Sequence, residues 1–385
     1  MSVEIGDWND LDNVRNDLTG DYVLVNDLDS ETAGYEGIGD DWNPIGEQAF
    51  DGEFYEGIFE GDGFEIRDLI VDTTDRNVGL FSGIRSPGEI RNLSVVGDIT
   101  TTSEDFNASV LCSENRGLIE NCTAGGSVTA LSIQNTGVLV GNNLDTITES
   151  YATGSVEGDG RVGGLVGNNN GTVTESYATG SVEGGEEVGG LVGGNFDAVT
   201  ESYATGSVEG DSEVGGLVGG NFDTVTDSYW DTETSGQSSS DGGTGLTTAE
   251  MQSSEAETNM DGFDFSDVWS TVEAVETETI DGQIMLDEVA AETATVILHN
   301  FSEPESIVTA LEDGYPILLS VDEGEQLDSQ NVESEEQGNI ARTETDTDGN
   351  YSADIPGTTD DTIAVGVDFD DGTDRYGRLI TTVLE

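Results

Sequence analysis

Val162-Gly163-Gly164-Leu165-Val166-Gly167-Asn168-Asn169-Asn170-Gly171-Thr172-Val173-Thr174-Glu175-Ser176-Tyr177-Ala178-Thr179-Gly180-Ser181-Val182 is followed by a near copy of itself, and its reading decides the fold. Ser150-Tyr151-Ala152-Thr153-Gly154, Ser176-Tyr177-Ala178-Thr179-Gly180 and Ser202-Tyr203-Ala204-Thr205-Gly206 return every 26 residues. A fixed period of that size marks a repeat array or solenoid. Short β-branched runs alternate with Gly, Asn and Asp, and no helical periodicity competes, so the unit is made of strands and corners. A single unit cannot bury its apolar side. Stacked units can, because each pairs its backbone with the units above and below.

Working outward, equivalents of Val173 fall at Ile66, Ile90, Ile119, Ile147, Val199 and Val225, in steps of 24, 29, 28, 26, 26 and 26 residues. This predicts at least seven rungs between about residues 60 and 230, each with two or three short strands. The expected fold class is all-β: a right-handed parallel β-helix with an N-terminal helical cap and a small C-terminal β-sandwich.

Stacking turns equivalent positions into columns about 4.8 Å apart. Leu69, Leu93, Cys122, Ser150, Ser176 and Ser202 form one column, and Val71, Val95, Ala124, Ala152, Ala178 and Ala204 another. Both are small or apolar and share strand parity, so both are expected to point inward. The opposite parity sets Tyr151, Tyr177 and Tyr203 beside Glu149, Glu175 and Glu201 on an outer face, ending in Asp227 and Tyr229. Such a stripe is either packed under a neighbouring segment or is a stacking platform for sugar rings. Asn115, Asn143, Asn169, Asn195 and Asn221 form a corner column whose amides can bond rung to rung.

The chain of 385 residues carries 81 Asp and Glu against ten basic residues, all Arg, for a net charge of −71. Such a charge repels itself in dilute buffer. At molar salt the screening length falls to about 3 Å and the repulsion fades. A protein of haloarchaeal brine is the expectation, and nucleic acid is excluded as a partner because no basic patch exists. Cys122 stands in the inward column and reads as a small buried filler beside Cys112. No apolar run reaches the length of a membrane span, so no membrane insertion is expected. The opening residues from Met1 lack the charged and apolar parts of a secretory signal.

Residues 1–60 read as a cap and the start of the solenoid, with a helix over residues 7–18 capped by Asp7. Residues 61–232 form the β-helix, 233–320 its C-terminal flank, 321–337 an acidic linker and 338–385 the sandwich. Within that last part Ile340, Tyr351, Ile363 and Ile380 mark four alternating strands separated by Asp-Gly turns.

Gly164-Leu165-Val166-Gly167 with Ser176-Tyr177-Ala178-Thr179-Gly180 resembles the GLUG repeat of microbial surface proteins, adhesins and some phage-encoded proteins. Gly20-Asp21-Tyr22-Val23-Leu24-Val25, Trp42-Asn43-Pro44-Ile45-Gly46 and Val78-Gly79-Leu80-Phe81 resemble the usual start of such β-helices. Tyr229-Trp230-Asp231-Thr232 and Gly314-Tyr315-Pro316-Ile317-Leu318 resemble their end. Thr345-Asp346-Thr347-Asp348-Gly349-Asn350-Tyr351 resembles a carboxypeptidase-regulatory-type sandwich. The resemblance, read with the signal-free start, implies a haloarchaeal viral tail fibre or tail-associated adhesion protein. Its location would be the virion, its partners a host surface glycan or S-layer protein and other tail proteins, and its assembly a homotrimer. A host cell-surface adhesin is the alternative.

No enzyme is expected. With 81 acids, carboxylate pairs carry no weight as a hydrolase signature, and His299, the only histidine, lies outside the repeats. Asp346 and Asp348, and Asp368 and Asp370, read first as polar hairpin turns and second as sites for Ca2+ or Mg2+, since their spacing resembles the start of an EF-hand loop without its closing Glu.

Overall fold

The computed structural model describes residues 2–46, 53–74, 76–102, 107–132, 134–265 and 268–270, and beyond residue 270 the backbones of the strands named below. The chain divides into two compact units, Met1–Met251 with Asn259–Phe263, and Gln252–Thr258 with Asp264–Glu385.

The first unit is a parallel β-solenoid. Its largest sheet begins with β1 (Val3–Ile5), β2 (Tyr22–Leu24) and β3 (Ile58–Glu60). It continues through Ile84–Arg91, Cys112–Glu120, Val140–Asn143, Val166–Asn169, Val192–Asn195 and Val218–Asn221. Thr146–Thr148, Thr172–Thr174, Val199–Thr200 and Val225–Thr226 extend the same sheet. A second sheet runs from Glu65–Thr73 to Thr244–Leu246, and a third joins Asn107–Ala108, Asn135–Gly137, Arg161–Gly163, Val188–Gly189 and Val214–Gly215. A mature coil therefore holds five short strands, for example Arg161–Gly163, Val166–Asn169, Thr172–Thr174, Tyr177–Ala178 and Val182–Gly184. That is more than the two or three expected, because corner residues break what the sequence presents as longer runs.

The repeat positions stack as columns. Ile90, Ile119, Ile147, Val173, Val199 and Val225 pair in register. Val71, Ile99, Val128, Val156, Val182 and Val208 form a second buried column. The expected start of both reading frames needs correcting. Phe59, not Ile66, pairs with Ile90, and Ile66 pairs with Val95 in the other sheet. Leu69 pairs with Gly97 rather than following the Leu93 column, after a register shift between Ile66 and Leu69. From Leu93 and Val95 onward the two inward columns lie as expected, and all their members are buried.

The coil interior is not purely apolar. Ser176 Oγ donates to the Thr174 carbonyl at 2.7 Å and accepts from the Ser150 amide at 3.2 Å. Ser150, Ser202 and Ser228 repeat the arrangement. These hydroxyls satisfy backbone groups that the tight corner strips from the ladders, which a buried corner requires. Gly180 and Gly206 are fixed by close approach: a Cβ on either would collide with the carbonyl of Gly154 or Gly180 in the coil before. Cys112 and Cys122 are free and buried, and burial holds both thiols above their ordinary range.

Both ends of the solenoid are covered. Asp7 caps helix α1 (Trp8–Asn13) by accepting from the amides of Asn9 and Asp10 at 2.8 and 3.0 Å. The helix is shorter than expected, tightening into a 3-10 turn at Val14–Asn16. Trp8, Leu11 and Val14 are fully buried, and α1 packs on β1. At the other end Ser239 and Ser240 accept from the amides of Gly216, Leu217 and Val218, and Asp241 accepts from that of Asn221 at 2.8 Å. These partners occupy the edge groups that would otherwise template another strand.

In the second unit Trp269–Ser270 pairs antiparallel with Ile317–Leu318, the closing motif read from the sequence. Ala341–Glu344, Thr295–Asn300, Thr362–Asp370 and Arg375–Val383 form an antiparallel sheet in that order, and Thr277–Gln283 pairs with Asn350–Pro356. Strands on either side of residues 321–337 thus pair with one another.

Candidate functional site

The Asn corner builds the most regular polar element. Asn115, Asn143, Asn169 and Asn195 each donate from Nδ2 to Oδ1 of the next Asn, at 2.7 to 2.8 Å, ending at Asn221. The amides also serve neighbouring carbonyls, such as Ala198 O for Asn169 at 3.2 Å.

The Tyr stripe does form, with Tyr151, Tyr177 and Tyr203 stacked at 4.7 and 4.9 Å and nearly parallel. Little of it faces solvent. Tyr177 and Tyr203 are 2% and 0% exposed, and only Tyr151 is half-buried. The chain returns over the far end of the stripe: Phe263 packs on Tyr203 and Tyr229, and the Tyr229 hydroxyl donates to the Asp261 carbonyl at 2.8 Å. Burial, then Asp261 and Asp227, pushes the Tyr229 phenol up to about 12.

Glu149, Glu175 and Glu201 are corner residues rather than strand residues. Their φ angles are 49°, 49° and 48°, and Asp227 follows at 47°. Asn92 and Asn121 hold the same corner in earlier coils at 51° and 50°, and Asn121 donates to Asn92 Oδ1 at 2.7 Å. Left-handed backbone favours Gly and Asn, so the later carboxylates sit there at a cost. Glu149 is exposed, while Glu175 and Glu201 are half-buried. Although the residue is exposed overall, partial desolvation of its carboxyl first, then Glu175 and Glu120, raises Glu149 above its ordinary value.

Asp346 and Asp348 lie outside the described residues. Asp368 and Asp370 lie on Thr362–Asp370, their backbones paired with Gly377 and Arg375. Among the described residues no group of three or more acidic, His or Cys side chains is placed to hold a metal ion. A groove of about 540 Å³ is lined by Glu157, Glu183 and Glu209, stacked in register, together with Asp159, Asp211 and Gln237.

Sequence reasoning missed one feature. Phe196 and Phe222 stack at 4.6 Å on the outer surface and are 37% and 62% exposed. They follow the ladder residues Asn195 and Asn221, in a column that reads Leu144 and Asn170 in earlier coils. Arg161 lays its guanidinium over Phe196, 5.1 Å from the ring centroid, and forms an ion pair with Glu187. The signal was available as Asn-Phe-Asp replacing Asn-Leu-Asp at a position that must face outward.

The GLUG motif matches residues 158–183 and 184–209. The chain carries GLUG repeats. The two GLUG copies contain Tyr177, Tyr203, Asn169 and Asn195, and the solenoid fits a GLUG-repeat β-helix protein. A protein of Evansella cellulosilytica described as a Gly-rich membrane protein is 40% identical over 115 residues, 29% of this chain and 13% of that protein. Halomucin of Haloquadratum walsbyi is 33% identical over 112 residues, 28% of this chain and 1% of its own length. The chain thus spans a small part of the curated relatives it matches. No solved structure matches it. Among the described residues no helix is long and apolar enough to cross a membrane.

Proposed function

We propose that this chain is a non-enzymatic, surface-associated GLUG solenoid of a salt-adapted organism, acting as a binding and structural element. The observation that carries this is the likeness of part of the chain to parts of a protein described as a membrane protein and of a halomucin. The physical build agrees. The coil is held by backbone ladders and by the Asn and Ser ladders, neutral devices that molar salt does not screen. The surface carries the charge, consistent with a net −71.

The narrower form of the proposal is a haloarchaeal virion tail fibre or tail-associated adhesion protein that contacts a surface glycan or S-layer protein. A solenoid of stacked coils suits a shaft, and Tyr151 with Glu149 is the accessible end of the expected stripe. Quantitative mass spectrometry of cell envelope, cytosol and released virus particles, with antibody labelling of intact cells, tests both forms. Envelope enrichment with surface labelling is the expected result, and particle enrichment narrows it to the tail. Recovery from cytosol alone overturns the proposal.

A further inference from the structure

Phe222 ends a stack whose other end shows what such an aromatic face takes. Arg161, from the preceding coil, covers the face of Phe196 turned away from Phe222 and is held there by Glu187. The order is guanidinium, ring, ring, and then solvent. Among the described residues no arginine lies over Phe222.

The other parts of the Arg161 arrangement are repeated at the open end. Gly194 leaves its strand bare, so that Arg161 and Glu187 lie across it, with Glu187 Oε2 2.6 Å from where a Cβ would stand. Gly220, one coil later, does the same under Glu187 and Glu213, with Glu213 Oε2 3.5 Å from its would-be Cβ. Bare glycine, carboxylate and phenyl recur there, Glu187 stands where Arg161 would, and the outer face of Phe222 carries no guanidinium among the described residues. The chain does not supply it from the same column, because the positions after Arg161 are Glu187 and Glu213 themselves.

We propose that the Phe222 face together with Glu213 takes the arginine side chain of a partner protein. A guanidinium is planar, weakly hydrated and forked, so it stacks on the ring while bonding the carboxylate, as a compact, strongly hydrated ammonium does not. In brine, charges more than about 3 Å apart are screened. Recognition then rests on contact, and an exposed ring flanked by an acid is a contact that survives. The exposed Asp223 beside the ring repels anionic ligands. The preference for contact over long-range charge rests on the salt-adapted reading proposed above.

The test is NMR of the full chain with isotope-labelled phenylalanine rings in 2–3 M KCl, the screening regime described above. Hexa-arginine, hexa-lysine and a neutral oligosaccharide are titrated in turn, and the Phe222 signals are assigned with Phe222→Ala. Hexa-arginine is expected to shift them saturably, with hexa-lysine weaker by roughly two- to fivefold and Glu213→Gln weakening the arginine response by a similar factor. The side chain is largely exposed, so Phe222→Ala keeps the fold, as circular dichroism will check. Equal responses to the two peptides, no response, or a response to the sugar alone each overturn the proposal.

Discussion

Asn169 donates its side-chain amide to Oδ1 of Asn195 at 2.8 Å and accepts from Asn143 at the same distance, all inside the buried corner. Its Oδ1 also receives the Gly171 amide at 3.3 Å. Asn169→Ala strands several of these groups away from water, and each buried orphan costs about 1–3 kcal/mol. We expect a loss of about 2–4 kcal/mol in chemical unfolding at molar KCl. Asn221→Ala, at the half-exposed end of the ladder, is expected to cost under about 1 kcal/mol because water replaces the lost partner.

The Tyr229 hydroxyl ties down the returning segment through the Asp261 carbonyl. Tyr229→Phe is expected to speed hydrogen exchange at the Phe263 amide, which bonds the Met260 carbonyl, and to leave exchange in Val173 unchanged. The phenol titrates near 12 against an ordinary 10. Its contribution is therefore full below pH 10 and lost as pH rises through about 12. Ultraviolet titration of wild type against Tyr229→Phe reads that window.

Glu175 and Glu201 occupy a left-handed corner that Asn92 and Asn121 hold in the earlier coils. The double variant Glu175→Asn, Glu201→Asn relieves backbone strain and can form an amide pair of its own, as Asn121 and Asn92 do. A gain of about 1–2 kcal/mol is expected in thermal or chemical unfolding, and an unchanged midpoint refutes the strain account.

Glu149 has its carboxyl raised by burial and by neighbouring acids, so its ionised form is the costly one. Glu149→Gln is expected to be more stable than wild type at neutral pH, with the advantage lost as acid protonates Glu149. The difference should also shrink between dilute buffer and molar salt, where the Glu175 and Glu120 contributions are screened. A difference independent of both pH and salt would sink this reading.

Much of this fold was legible because copying makes each column repeat one environment. Ser176 and Asn169 recur wherever the corner needs a small hydroxyl or a ladder amide, and the 26-residue step exposes both. The early coils were harder. Glu-Ile-Arg-Asp-Leu at Ile66 and Glu-Ile-Arg-Asn-Leu at Ile90 look alike, and Asp68 and Asn92 both take left-handed backbone. Yet the two segments stand in different sheets, and only pairing with Val95 or Ile119 separates them. The parity of the Tyr stripe was readable, whereas its cover was not, because Asn259–Phe263 belongs to no repeat. Glu175 gave no corner signal of its own, since Glu rarely takes that backbone; the clue lay in Asn92 and Asn121 at the same column.

Of the two covers, α1 with its Asp7 cap packs on β1, and the Ser239–Asp241 strip bonds the last coil. Gain or loss of a whole 26-residue unit between them leaves both covers intact and changes the length of the solenoid by about 4.8 Å. Because neighbouring units pair column on column, each added or lost unit meets the same contacts as its neighbours, and length varies independently of what the two ends are built to do.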